Sequence, residues 1–305
     1  MADKKDVVII GSGPAGLSAA VYAKRAMLDA VVIEKEFSGG QIVTTDRVDN
    51  YLGLYGEDGF SLATKFKEHA DALGVTFIDQ TVTEIKDLGK EREVLLEDGT
   101  VISTKAVLFA TGASHRNLGV PGEERLNGAG VSYCATCDGA FFRNRTVAVV
   151  GGGDVALEDA LYLSNLCEKV YLIHRRSELR GAKVYQEQIE QKENITFLPE
   201  CEITEILGEN KVEAIKVADH AVNEEKKLEV AGIFLAVGTE PKSALAKPHV
   251  TLDEAGYIVA GEDGRTSKKG FYAAGDVRTK PLRQVITAAA DGATAIASIE
   301  QDLYA

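Results

Sequence analysis

The sequence predicts an α/β fold made of two three-layer domains, each with a parallel sheet at its centre. Two observations carry that expectation. From Asp6, a short β-branched apolar run is followed by a glycine-rich turn and an alanine-rich helical stretch, and the same order returns from Thr146. Length agrees, since 305 residues at roughly 150 per domain give about two domains. A third observation bears on purpose: a single Cys-x-x-Cys pair lies ahead of the second unit.

In the first unit Asp6 to Ile10 reads as a buried parallel strand, being continuously apolar and β-branched. Gly11-Ser12-Gly13-Pro14-Ala15-Gly16 follows, and Leu17 to Met27 has apolar residues at helical spacing. A second strand, Ala30 to Ile33, ends in Glu34 with Lys35 beside it. Each glycine has a task in a dinucleotide site. Gly11 allows the tight turn, Gly13 lets backbone approach a pyrophosphate, and Gly16 lets helix pack on strand. The helix N-terminus adds free N–H donors and the positive end of its dipole. Pro14 is tolerated in a first helical turn. Glu34, about 20 residues on, is placed to accept hydrogen bonds from a ribose and repels a 2′-phosphate. This site is expected to hold FAD or NAD rather than NADP.

The second unit repeats the pattern. Thr146 to Val150 is the strand, Gly151-Gly152-Gly153-Asp154-Val155-Ala156 the turn, Leu157 to Leu166 the helix, and Lys169 to Ile173 the next strand. It ends in His174-Arg175-Arg176, with Arg180 beyond. Guanidinium groups suit phosphate oxygens, and an arginine here accommodates the 2′-phosphate of NADP. The expected ligand is NADPH. Two Rossmann-like units of opposite charge preference imply a division of labour, one keeping a resident nucleotide and the other exchanging it.

Composition excludes several classes. A net charge of −13 argues against nucleic-acid binding, which needs a basic face. No apolar run approaches the ~18 residues of a membrane span, and Met1 to Asp6 leads straight into a strand with no cleavable apolar region. The cytoplasm is the expected compartment. Four cysteines are too few for a disulfide scaffold, so a lone Cys-x-x-Cys points to catalysis or metal. Zinc would want a second pair or nearby histidines. Cys167 and Cys201 stand apart and read as small buried apolar residues, so no metal is expected. Cys134 and Cys137, three apart in a helical first turn, fall within the Cα separation a disulfide needs. Asp138, next in sequence, is a candidate proton donor and acceptor, or simply a helix cap.

In these motifs the chain resembles the low-molecular-weight, NADPH-dependent thioredoxin reductases (thioredoxin-disulfide reductases), from about Val7 to Ile299. Further segments carry the resemblance. Gly39-Gly40-Gln41 lies along the flavin in that family, and Asn50 of Asp49-Asn50-Tyr51 matches its flavin-contacting asparagine. Ala110-Thr111-Gly112 resembles the motif closing the first flavin segment. Ala274-Gly275-Asp276 resembles the second, with Asp276 at the ribityl hydroxyls, and Arg283-Gln284-Val285 resembles the helix start facing the isoalloxazine. One departure is Val155, where the family usually has Ser or Thr. The missing hydroxyl is worth roughly 0.5–1.5 kcal/mol of NADPH binding.

The resemblance implies a discontinuous FAD domain, residues 1–115 and 243–305, with an NADPH domain, 116–242, inserted and carrying the cysteines. It implies that electrons pass from NADPH through FAD and the Cys134–Cys137 disulfide to oxidised thioredoxin, in a homodimeric flavoprotein. It also implies a large rotation of the inserted domain, which the Gly- and Pro-containing crossovers 115–122 and 238–243 would suit. Cys137, beside the acid, is the expected partner-facing thiol. Phe141 and Phe142 read either as an apolar docking surface for thioredoxin or as core. The alanine-rich segment from Ala288 to Ile299 reads as core or dimer contact. Other readings are a ferredoxin-fed relative, the flavoprotein partner of a peroxidase, and a non-enzymatic flavin redox sensor. The first should lack the arginines, the second should carry an extra N-terminal domain for which a strand from Asp6 leaves no room, and the third needs no electron supply.

Overall fold

Residues Val7, Val8, Ile9 and Ile10 are all buried, as expected of a central parallel strand covered on both faces. They end β1 (Asp3–Ile10), which is followed by α1 (Pro14–Arg25) and β2 (Ala30–Glu34). The computed structural model describes residues 3–45, 48 and 50–304. Met1, Ala2 and Asp49, part of segments singled out above, lie outside the described residues. Pro14 stands at the start of α1 with Gly13 as its N-cap, where a missing N–H costs nothing. Next come α2 (Gly59–Ala72), β3 (Thr76–Asp79), β4 (Val82–Asp87), β5 (Arg92–Leu96) and β6 (Val101–Phe109). Asp58 caps α2, its carboxylate accepting from Ser61 N at 2.8 Å.

The chain then runs through β7 (Ala113–His115), β8 (Val131–Ser132), the short helix α3 (Ala135–Asp138), β9 (Thr146–Val150), α4 (Asp154–Ser164), β10 (Lys169–Ile173), α5 (Lys183–Glu190) and β11 (Ile195–Leu198). It continues with β12 (Cys201–Leu207), β13 (Ala214–Asp219), β14 (Glu224–Glu229), β15 (Gly232–Leu235) and β16 (Thr239–Pro241), and ends with β17 (Phe271–Ala273) and α6 (Val285–Tyr304). No helix among the described residues is long and apolar enough to cross a membrane.

Two compact units result, Met1–Ser114 with Glu240–Ala305, and His115–Thr239. The first holds a seven-stranded sheet, ordered β3-β2-β1-β6-β5-β4, with β17 also on β6. Strand β6 is long enough to pair antiparallel with β5 through Val101 to Thr104 and parallel with β17 through Val107 to Phe109. Side chains alternate across this sheet. Val7, Ile9, Val32 and Leu108 face the layer of α1 and α6, while Val8, Ile10, Val31 and Phe109 face the opposite core. Helices α1 and α6 approach closely because the residues between them are small. A Cβ on Gly292 would stand 2.1 Å from the carbonyl oxygen of Ala15.

The second unit has a parallel sheet, β11-β10-β9-β15-β8, and an antiparallel one, β12-β13-β14. Val147 and Val149 pack towards α4 and Phe234, Ala148 and Val150 towards the antiparallel sheet. Both units are three-layer α/β arrangements of the kind the glycine turns predicted. Cys167 and Cys201 are buried and free, and burial pushes the Cys167 thiol up to about 11.

Candidate redox and nucleotide sites

Cys134 and Cys137 are joined in a disulfide, with their Cα atoms 5.3 Å apart. Cys134 is the N-cap of α3, its sulfur accepting from Cys137 N at 3.2 Å. Asp138 does not cap a helix through its side chain; its Oδ2 accepts from the Ser132 hydroxyl at 2.6 Å. Ser132 ends β8 and its oxygen in turn accepts from Cys134 N at 3.1 Å. The strand end, the cysteine turn and the acid are thus tied at one hydroxyl. The two phenylalanines that follow part company. Phe142 lies edge-on to Phe234, ring centroids 5.3 Å apart, in the core of its unit, and Phe141 is 46% exposed.

In the first unit the glycine turn is required by its surroundings. Gly11 has φ +102°, and a Cβ there would stand 2.5 Å from Ala110 O; one on Gly16 would stand 1.9 Å from Gly11 O. A Cβ on Gly13 would stand in ordinary contact with Gly40 Cα, at 3.9 Å. Gly40 and Gly275 close on the same place, Gly40 against Gly13 and Gly275 against Ala15. Asn50 and Gln284 also meet, Nδ2 of the first donating to Oε1 of the second at 2.9 Å. Gln41 donates to Ala113 O, and the Thr111 hydroxyl to Lys242 O at 2.6 Å. Segments from both ends of the unit therefore converge on the α1 N-terminus. Lys35 stands apart, in an exposed ion pair with Glu36.

Two carboxylates at this site differ in an informative way. Glu34 accepts from Ser12 N at 2.8 Å, Ser12 Oγ at 3.0 Å, Lys35 N at 2.9 Å and Glu36 N at 3.1 Å. A ribose hydroxyl would have to displace one of these, and Ser12 Oγ has a second partner in Ser38 Oγ at 3.0 Å. Asp276, by contrast, has a buried Oδ1 without a partner among the described residues. Burial pushes its carboxyl up, and the nearby Lys280 and Arg283 do not offset that. Arg283 lies 4.0 Å over the Tyr257 ring.

A residue the motifs did not reveal supports this turn. Asp291, on α6, accepts from Gly275 N at 2.9 Å, from Arg278 Nε and Nη2 at 2.9 Å each, and from Lys280 Nζ at 2.8 Å. Burial alone would push its carboxyl up, but these bonds outweigh burial and leave it lowered. Its only sequence signal was a charged residue on the otherwise apolar face of a helix.

The second unit repeats the turn. A Cβ on Gly151, at φ +151°, would stand 2.5 Å from Ala236 O; one on Gly152 would strike the His174 ring, and Gly153 has open space. Gly152 O accepts from Arg180 N at 2.6 Å, and the Asp154 carboxylate from Ala182 N at 2.7 Å. The buried His174 leaves Nε2 without a partner among the described residues. Burial lowers its pKa, as do Arg180, Arg176 and Arg175. These three arginines are exposed, and no described residue pairs with their guanidinium groups. Ala156 is buried in α4, and Val155, in its first turn, is 63% exposed.

Comparison with known proteins adds an independent line. The family described as pyridine nucleotide-disulphide oxidoreductase matches residues 5–292. A thioredoxin reductase of Mycolicibacterium smegmatis is 44% identical over 298 residues, spanning 97% of this chain and 96% of its own length. One from Bacillus subtilis (strain 168) is 41% identical over 299 residues, spanning 97% and 93%. The crystal structure of thioredoxin reductase from Streptococcus pyogenes is similar with a TM-score of 0.95 at 39% identity, covering 100% of this chain and 99% of that one.

Proposed function

This chain belongs to the pyridine nucleotide-disulphide oxidoreductase family, and from that premise we infer that it is a thioredoxin reductase, working with FAD and NADPH. The observation that carries the reading is the Cys134–Cys137 disulfide, held in a turn with an acid beside it. The thioredoxin reductases to which the chain is similar along nearly its whole length support the same reading.

The residues present fit both nucleotides. For a flavin, Gly11, Gly13, Gly16 and Gly40 bring backbone together at the start of α1, and the buried Oδ1 of Asp276, without a partner among the described residues, is an acceptor suited to a ribityl hydroxyl. Gly11, Ser12, Gly13, Ala15, Gly16, Glu34, Gly40, Asn50 and Gln284 would complete that site. A bound flavin supplies the two-electron link between a nicotinamide and a disulfide. For NADPH, the exposed guanidinium groups of Arg175, Arg176 and Arg180 suit a 2′-phosphate, and Gly151 to Ala156 the pyrophosphate.

The thiol chemistry belongs to the chain's own side chains. Once the disulfide is reduced, Cys137 passes its thiol proton to Asp138 and attacks, as the thiolate, one sulfur of the thioredoxin disulfide, forming a mixed disulfide. Asp138 gives its proton to the departing thioredoxin thiolate. Cys134, whose sulfur takes the Cys137 N–H, is the thiolate the turn stabilises. Its thiol proton passes to the now ionised Asp138; the Cys134 thiolate then attacks Cys137, re-forms the bond and releases the second thioredoxin thiolate, which takes that proton from Asp138.

The test is optical. The purified protein should be yellow, bleach with NADPH far faster than with NADH, and reduce a disulfide dye only when thioredoxin is added. A colourless protein that rebinds no FAD, or a bleached one whose Cys134–Cys137 bond persists, would overturn the reading.

A further inference from the structure

We propose that Ser132 is a positioning residue of the redox centre, its hydroxyl holding the Asp138 carboxylate and the Cys134 amide in one fixed arrangement. The inference rests on the role given to Asp138 above. Ser132 is 5% exposed, so water does not compete freely for its hydroxyl. The position of that hydroxyl is fixed from behind, because Ser132 ends β8, paired in register with Phe234 of β15. A serine hydroxyl has one proton and two lone pairs. Here the proton lies on Asp138 Oδ2 at 2.6 Å, and a lone pair takes the Cys134 N–H at 3.1 Å.

The second acceptor in reach explains why a hydroxyl suits this place. Cys134 O lies 3.4 Å from Ser132 Oγ. While Asp138 is ionised, the hydroxyl donates to it. When Asp138 carries a proton on Oδ2, that proton can be donated to Ser132 Oγ, and the hydroxyl turns its own towards Cys134 O. The carboxyl is therefore held in the same place before and after it gives up its proton. An Ala side chain would supply neither the donor nor the acceptor.

The consequence is confined to one chemical step, the exchange between the reduced cysteines and an incoming disulfide. In that step the two Cys thiols become the Cys134–Cys137 disulfide, and the incoming disulfide becomes two thiols, one taking its proton from Asp138. The probe is bis(2-hydroxyethyl) disulfide, whose leaving thiolate needs a proton. The holoprotein is reduced with dithiothreitol, desalted and mixed with the probe, so neither NADPH nor thioredoxin takes part.

Ser132→Ala should slow the exchange by about tenfold or more, as expected when a general acid is displaced rather than removed. Ser132→Thr, which keeps the hydroxyl, should restore most of the rate. In the Asp138→Asn background, Ser132→Ala should change little further, since the residue it acts through is gone. Wild-type rates in Ser132→Ala would overturn the proposal, and so would an equal fold-loss in both backgrounds, which would mark Ser132 as structural only. Should the thiol exchange behave as expected while NADPH fails to drive thioredoxin reduction in the wild type, the proposal stands and the preceding reading of the whole chain falls.

Discussion

Asp276, half-buried with its Oδ1 out of reach of solvent, and the buried Asp291 are carboxylates of the same unit, yet proton binding affects them oppositely. Asp291 is met by Gly275 N, Arg278 and Lys280 and its pKa is lowered from the ordinary 3.8. Its ionised form therefore adds stability above the unfolded-state pKa, lost as pH falls through the lower folded value. Asp276 has an Oδ1 without a partner among the described residues and its pKa raised from 3.8, chiefly by burial. In the apoprotein its contribution is present at low pH and lost as pH rises through the raised value. A donor hydroxyl delivered by FAD would reverse that by hydrogen-bonding the ionised form. The affinity of apoprotein for FAD, read by quenching of flavin fluorescence, should therefore rise with pH from the ordinary carboxyl range upward and level off. In Asp276→Asn the same titration should be weaker and flat over that range. A wild-type affinity that falls with pH there would mean that Asp276 does not accept from the flavin.

Helix packing decides whether such residues stay in place. Asp291 and Gly292 are neighbours on α6, and the one holds the Gly275 turn while the other lets α6 lie on α1. Gly292→Ala puts a Cβ 2.1 Å from Ala15 O, and overpacking of this kind costs about 1–3 kcal/mol. At roughly 2–4 °C per kcal/mol for a unit of this size, calorimetry should show Tm lower by several degrees. Flavin should also be held less tightly, because α6 carries the support of Gly275. An unchanged Tm would mean that the helices separate without cost. Elements of this kind were legible in sequence where burial is continuous. The strands Thr146–Val150 and Lys169–Ile173 have the bounds their apolar runs imply. Apolar spacing places the first helix over Leu17 to Met27, but it runs from Pro14 to Arg25, because proline suits a first turn and Met27 has left the helix at φ 58°. Strand β6 runs on from Val101 to Phe109, since Ser103 and Thr104, polar in sequence, are buried between neighbouring strands. The cysteine pair was legible from spacing alone. What lay beyond reading were tertiary pairings: Asn50 with Gln284, Ser132 with Asp138, and Gly275 with Asp291. Nothing in the local pattern of a serine or an aspartate says which distant amide or carboxylate it will meet.

For the whole molecule, the same strand–turn–helix device occurs twice with opposite ends, Glu34 in one unit and Arg175 and Arg176 in the other. The physical difference is one of charge and enclosure. Glu34 sits among backbone amides with segments from both ends of its unit closing around the turn. The arginines are exposed and have no partner among the described residues, so a nucleotide bound there would gain charge-assisted hydrogen bonds but stay in contact with water, which favours exchange. The two sites should therefore fail independently. Replacing Arg176 by Gln removes a charged contact worth about 1.5–3 kcal/mol, so KM for NADPH should rise by about ten- to a hundredfold. NADH turnover and the flavin content of the purified protein should stay as they were. Gly16→Ala places a Cβ 1.9 Å from Gly11 O and should do the reverse: protein purified with little flavin, and a KM for NADPH near normal in whatever fraction retains it. The measurements are the ratio of visible to ultraviolet absorbance and steady-state kinetics with both nucleotides. Flavin loss in Arg176→Gln, or full flavin content in Gly16→Ala, would break the assignment of one nucleotide to each unit.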